Sequence, residues 1–180
     1  NEKRKTRERQ EMDMASRKLT KILFAVYMAA LTWIIVCKMS FSPQSLDYAR
    51  SINLIPFGAS ALANQGIDLS EIVLNVLAFL PFGIYAGLLF RDWPFGKKLL
   101  LFAGVSFGYE ALQYAFAIGR SDITDLISNC LGGALGLLLF ALIARLCKTE
   151  ERTAKCINVC ALISTLCAGG FIALLLAVNA

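Results

Sequence analysis

A chain of 180 residues that is 57% hydrophobic and only 17% charged, with a mean hydropathy of +0.62, is too apolar for an ordinary soluble domain and points to an integral membrane protein of one domain. The absence of histidine excludes Ser-His and Cys-His catalysis. The net charge of +5 is concentrated in the segments flanking apolar runs, which reads as membrane topology and contact with anionic lipid, not as nucleic-acid binding.

Residues 1–18, "NEKRKTRERQEMDMASRK", form a basic N-terminal segment of mixed charge, expected on the cytoplasmic side and able to continue as a helix into the first span. About 20 apolar residues are needed to cross a bilayer core. Runs of that kind occur near 19–39, 70–90, 97–118, 122–146 and 155–178. The first lacks a small-x-small cleavage pattern and reads as a retained span, not a signal peptide. The fold class expected is therefore all-α: a polytopic membrane helix bundle of about five transmembrane helices. Residues 19–146 form its main membrane domain, and 155–178 an additional C-terminal helix.

Between the first two spans, "INLIPFGASALA" is apolar but too short to cross. A re-entrant or interfacial segment is expected over about 50–65, packed over the mouth of the bundle, because irregular backbone at membrane depth needs protein or water partners. "DLSE" at 68–71 has capping-box spacing, with Asp68 as the N-cap of the second span. Pro81 lies inside that span and predicts a kink beside Asn75. The tripeptide "PFG" recurs at 56–58, 81–83 and 94–96 without matching flanks, so it marks local bends and no repeat. In the fourth span Gly132 and Gly136 offer a small-xxx-small face for close helix approach.

Fifteen of the eighteen Lys and Arg residues fall on one side of this arrangement; only Lys38, Arg50 and Arg120 fall on the other. The N-terminus is thus expected on the cytoplasmic side of the membrane and the C-terminus on the outside. Cys156 and Cys160 share a helix face, but without histidine or a CxxC pair the six cysteines read as small packing residues. No metal or cofactor is expected.

The densest chemistry lies in "YEALQYAFAIGRSDITDLISNCLGG", residues 109–133. Folding this hairpin about Arg120 sets Gln113 level with about Asp125 or Leu126 and Glu110 level with about Asn129 or Cys130. It places Glu110 and Gln113 on one face of the third span, and Asp122, Asp125 and Asn129 on one face of the fourth. Asn75 enters at comparable depth from the second span. A carboxylate at membrane depth costs at least about 2.5–3.5 kcal/mol on insertion scales and needs a partner, for which Arg120 is the candidate. Asp122 is well placed as an N-cap, with Asp125 in the first turn. The deeper groups fit either an interhelical hydrogen-bond clamp or a ligand or catalytic site.

At "NLIPF" (53–57), "NVLAFLPFG" (75–83) and "YEALQYAFAIGRSDITDLISNCLGGALG" (109–136), the chain resembles the VanZ-like family of bacterial membrane proteins over roughly residues 50–140. The resemblance implies an association with glycopeptide resistance, chiefly to teicoplanin, without alteration of the peptidoglycan precursor. Carried over by position, the family's polar motif residues are Asn53, Asn75, Glu110, Gln113, Arg120, Asp122, Asp125 and Asn129. Many relatives have two adjacent acids where this chain has Thr124 and Asp125, which counts against a mechanism that uses that pair.

Three functional readings follow. The first is a resistance or envelope protein that binds an amphiphilic antibiotic or a lipid-linked cell-wall precursor at an outward-facing polar site, in contact with membrane lipids. The second is an intramembrane hydrolase or transferase with Glu110 or Asp125 as acid or base. Proton-coupled transport through Glu110 ranks last, because five spans without an inverted repeat make a poor transporter scaffold.

Overall fold

The computed structural model describes residues 2–36, 51–56, 69–117 and 120–178. In chain order they form α1 (Glu2–Val36), β1 (Ser51–Asn53), α2 (Leu69–Leu89), α3 (Phe95–Phe116), β2 (Arg120–Asp122), α4 (Ile123–Cys147) and α5 (Glu150–Val178). Among the described residues, five segments are long and apolar enough to cross a membrane: Met14–Val36, Leu69–Leu89, Phe95–Phe116, Ile123–Cys147 and Glu150–Leu175. The all-α membrane architecture expected from composition is the one observed. The segment expected over 50–65 is described only at 51–56, while Asp68, Lys38 and Arg50 lie outside the described residues.

The chain divides into two compact units, residues 30–142 and residues 1–29 with 143–180. The larger unit is organised by α2, α3 and α4. Its centre is aromatic: Phe79, Phe82 and Phe102 are fully buried, with edge-on contacts between Phe79 and Phe82 at 5.8 Å and between Phe82 and Phe102 at 5.1 Å. Tyr109 closes this cluster edge-on to Phe79, and its hydroxyl lies 3.0 Å from Thr32 Oγ1 near the end of α1.

Glycine decides how closely α2 and α4 approach. A Cβ on Gly132 or Gly136 would run into the backbone of Val76 or Leu80, and a Cβ on Gly83 into the backbone at Gly133. Hydrocarbon offers helices no hydrophobic reason to associate, so backbone contact through small residues supplies the van der Waals energy instead. α2 continues as helix through Pro81.

In the smaller unit, buried polar groups join α1 to α5. Thr20 donates to Asn158 Oδ1 at 2.9 Å, and Asn158 Nδ2 donates to the Ser16 carbonyl at 3.1 Å. Thr20 and Asn158 are 2% and 3% exposed, so each supplies the partner that the other's burial requires. The turn from α4 to α5 uses Lys148 in the left-handed region at φ 62°. Thr149 then caps α5 by accepting from the Arg152 amide.

Candidate functional site

The hairpin between α3 and α4 does not fold symmetrically. α3 ends at Ala117, whose left-handed φ of 55° stops the helix. Residues 120–122 then run extended and pair in parallel with β1, with Ser51 opposite Arg120, Ile52 opposite Ser121 and Asn53 opposite Asp122. An extended segment uses up chain length along a different path from helix. The facing residues of α3 and α4 are therefore displaced by about one turn from a symmetric hairpin: Asn129 meets Ser106, where Glu110 was expected.

Glu110, 8% exposed, is turned toward β2. Its Oε2 accepts the Asp122 backbone N–H at 3.1 Å, and its carbonyl accepts the Ser121 hydroxyl at 3.0 Å. Asp122 serves two further donors. Its Oδ1 accepts the Thr124 amide at 2.8 Å, which is the expected N-cap of α4, and its Oδ2 accepts Asn53 Nδ2 at 2.9 Å. Asn53 also closes a local turn, accepting the Ile55 amide and donating to the Ile55 carbonyl. One network thus ties β1 to β2 and β2 to α3. Beside it, Asn75 on α2 donates to Asp125 Oδ1 at 2.8 Å. The Asp122 and Asp125 carboxylates lie close enough to Glu110 to act on it electrostatically.

The remaining candidates are placed elsewhere. Gln113 donates to the Ile35 carbonyl of α1 at 2.8 Å, and Asn129 donates to Ser106 Oγ at 2.9 Å. Both are buried hydrogen-bond clamps between helices, at 4% and 1% exposure. Gln113 Oε1 and Asn129 Oδ1 have no hydrogen-bond partner among the described residues. Arg120 is described as backbone in β2, and its side chain lies outside the described residues. Among the described residues no group of acidic or thiol side chains is arranged to hold a metal ion.

Beside the network is a cavity of about 300 Å³. The β1–β2 pair, through Ile52 and Ser121, and Leu54 just after β1 form one wall, while Phe107, Ala111 and Tyr114 of α3 and Leu126 of α4 form the others. Its surface is almost wholly apolar. Asn53, Glu110 and Asp122 border it, but their polar atoms are largely turned into the network. The arrangement can therefore accept hydrocarbon against its walls with acidic groups at its edge. The apolar lining escaped sequence reading because one more Phe or Leu in a membrane helix carries no signal. The i, i+4, i+7 spacing of Phe107, Ala111 and Tyr114 is the pattern that marks them as one face.

Residues 24–144 match the model of the VanZ/LLP1 family. Protein VanZ of Enterococcus faecium is 36% identical over 126 residues, covering 69% of this chain and 74% of that protein. No solved structure matches the chain. The family match takes in α2, α3, both strands and α4 up to residue 144, and hence every residue of the network and the cavity; the chain belongs to the VanZ/LLP1 family.

Proposed function

We propose that this protein, in a bacterial plasma membrane, lowers susceptibility to amphiphilic glycopeptide antibiotics such as teicoplanin by holding the antibiotic, or a lipid-linked ligand, at a site facing outward. The observation that carries this reading is the cavity. It combines an almost wholly apolar wall with a polar border at Asn53, Glu110 and Asp122. Ligand pockets are typically about 300–1,000 Å³, so this one is at the small end. It suits the lipid tail of an antibiotic and not its peptide core, which favours lipidated over lipid-free glycopeptides. Binding fits the geometry better than acid–base chemistry, because Glu110, Asp122 and Asp125 each accept hydrogen bonds from groups of the protein itself.

The test is susceptibility of a sensitive Gram-positive host expressing the wild type or Ala111→Phe, with membrane levels matched by immunoblot. Protection by the wild type against teicoplanin, weaker protection against vancomycin, and loss of the teicoplanin effect in a well-expressed Ala111→Phe protein support the reading. A wild type no different from an empty vector sinks it.

A further inference from the structure

The smaller unit holds a group of thiols that takes no part in the polar network or the cavity. Cys147 is the last residue of α4, and Cys156 and Cys160 lie one turn apart on one face of α5. The sulfur of Cys156 is within hydrogen-bonding reach of both Cys147 and Cys160, so it stands between a partner on each helix. All three thiols are free; Cys156 and Cys160 are exposed, and Cys147 is half-buried. Exposed sulfurs fill no interior space, so the packing role expected from the sequence does not account for Cys156 and Cys160.

The turn between the helices fixes the backbone on both sides of this contact. Lys148 is left-handed, its amide donates to the Ala144 carbonyl at 3.1 Å, and the Thr149 amide donates to the Cys147 carbonyl itself at 2.8 Å. The Thr149 carbonyl in turn accepts the Thr153 amide at 3.0 Å and the Thr153 hydroxyl at 2.8 Å, with Thr153 only 1% exposed. The approach of Cys147 to Cys156 is therefore held by the fold.

The two pairings open to Cys156 differ. Side chains four apart on a helix keep their Cβ atoms about 5–6 Å apart, wider than the ~3.5–4.5 Å that a disulfide spans. Cys156 and Cys160 would have to distort α5 to join. Cys147 reaches Cys156 from another helix and is free of that constraint. The charged residues Arg145, Lys148, Glu150, Glu151, Arg152 and Lys155 put this pair at the edge of the apolar spans, open to small polar solutes.

We propose that Cys147 and Cys156 form an oxidant-responsive dithiol, closed by hydrogen peroxide to a disulfide that ties the end of α4 to α5, and reopened by small-molecule thiols. One thiolate of the pair attacks a peroxide oxygen; the O–O bond breaks, hydroxide leaves, and the sulfur becomes a sulfenic acid. The neighbouring thiolate attacks that sulfur, the S–S bond forms, and the displaced hydroxide takes up a proton as water. In total, two thiols and one peroxide give one disulfide and two waters, with two electrons passing from sulfur to oxygen. Exchange with two small-molecule thiols returns the electrons and leaves those thiols as their own disulfide. On the cytoplasmic side expected from the flanking basic residues, thiols are kept reduced and a disulfide is usually transient. This inference does not depend on the proposed function.

The experiment uses the full chain in a growing bacterial host. Cells receive a pulse of hydrogen peroxide and are quenched in acid and alkylated, and the protein is digested with trypsin. Cleavage after Arg145, Lys148 and Lys155 leaves Cys147 in the tripeptide 146–148 and Cys156 in a peptide that begins at 156, so the disulfide is read as a link between the two. Fragmentation between 156 and 160 shows which sulfur carries it. The expected result is a several-fold rise in the Cys147–Cys156 link after the pulse and its return to the starting level once the peroxide is consumed. Cys160→Ser keeps the link, and Cys147→Ser and Cys156→Ser abolish it. Purified wild type in nanodiscs should lose the mass of two hydrogens on peroxide treatment before any oxygen is added to sulfur.

No link after the pulse, a link already complete before it, a link carried by Cys160, or a reducible dimer joining two chains overturns the proposal. Thermal unfolding under reductant shows whether each serine variant keeps its fold. The wild-type readings stand without the variants, so an unfolded variant removes no test.

Discussion

The backbone N–H of Asp122 donates to the Glu110 carboxylate across 3.1 Å, so the acid that looks most like a catalytic group in the sequence is bonded to the strand beside it. The bond fastens β2 to α3 at the border of the cavity. A buried amide that loses its acceptor costs about 1–3 kcal/mol. Glu110→Ala should lower the stability of the detergent-solubilised protein by roughly that amount, whereas Glu110→Gln, whose amide oxygen still accepts, should lose less. Thermal unfolding of the two variants checks the order, and equal losses would show that the Asp122 amide does not depend on this acceptor.

Asn75 and Asp125 join α2 to the first turn of α4 at 2.8 Å. Hydrogen bonds between membrane helices average about 0.6 kcal/mol, with a maximum near 1.7. A double-mutant cycle on Asn75→Ala and Asp125→Ala should return a coupling in that range. A coupling indistinguishable from zero would mean that the pair does not hold the two helices together.

Glycines of the same helical type should differ sharply in tolerance. Gly136→Ala places a methyl group against the Leu80 backbone, which cannot move aside as a side chain can. Overpacking of this kind costs typically about 1–3 kcal/mol. Gly104→Ala on α3 meets nothing within 4 Å and should change stability by less than about 1 kcal/mol. Comparing the melting temperatures of the two variants decides whether the α2–α4 contact is as close as described.

In the smaller unit, Asn158→Ala removes both the acceptor of Thr20 and the donor to the Ser16 carbonyl. The variant should weaken α1–α5 association by about 1 kcal/mol. Cysteines placed on the facing surfaces of the two helices and crosslinked in membranes report this directly, and unchanged crosslinking would count against the clamp.

Much of the architecture was readable in the sequence. Runs of apolar residues long enough for a bilayer identify helices whatever surrounds them, because each helix satisfies its own backbone polar groups. Gly132 and Gly136 advertised a close helix approach, and Asp122 a helix cap, because both depend on local spacing. The polar residues of the hairpin were also visible as a group, since charged and amide side chains stand out in an apolar chain.

Their partners were decided by tertiary structure. The three-residue pairing of β1 with β2 joins segments about 70 residues apart, and no local pattern announces it. That pairing makes residues 120–122 extended, moves the facing positions of α3 and α4 by about a turn, and sends Glu110 to Asp122 and Asn129 to Ser106. It also raises one wall of the cavity. Helix formation is a short-range property that sequence determines by itself, whereas the space between helices exists only once distant backbones have settled their distance and register.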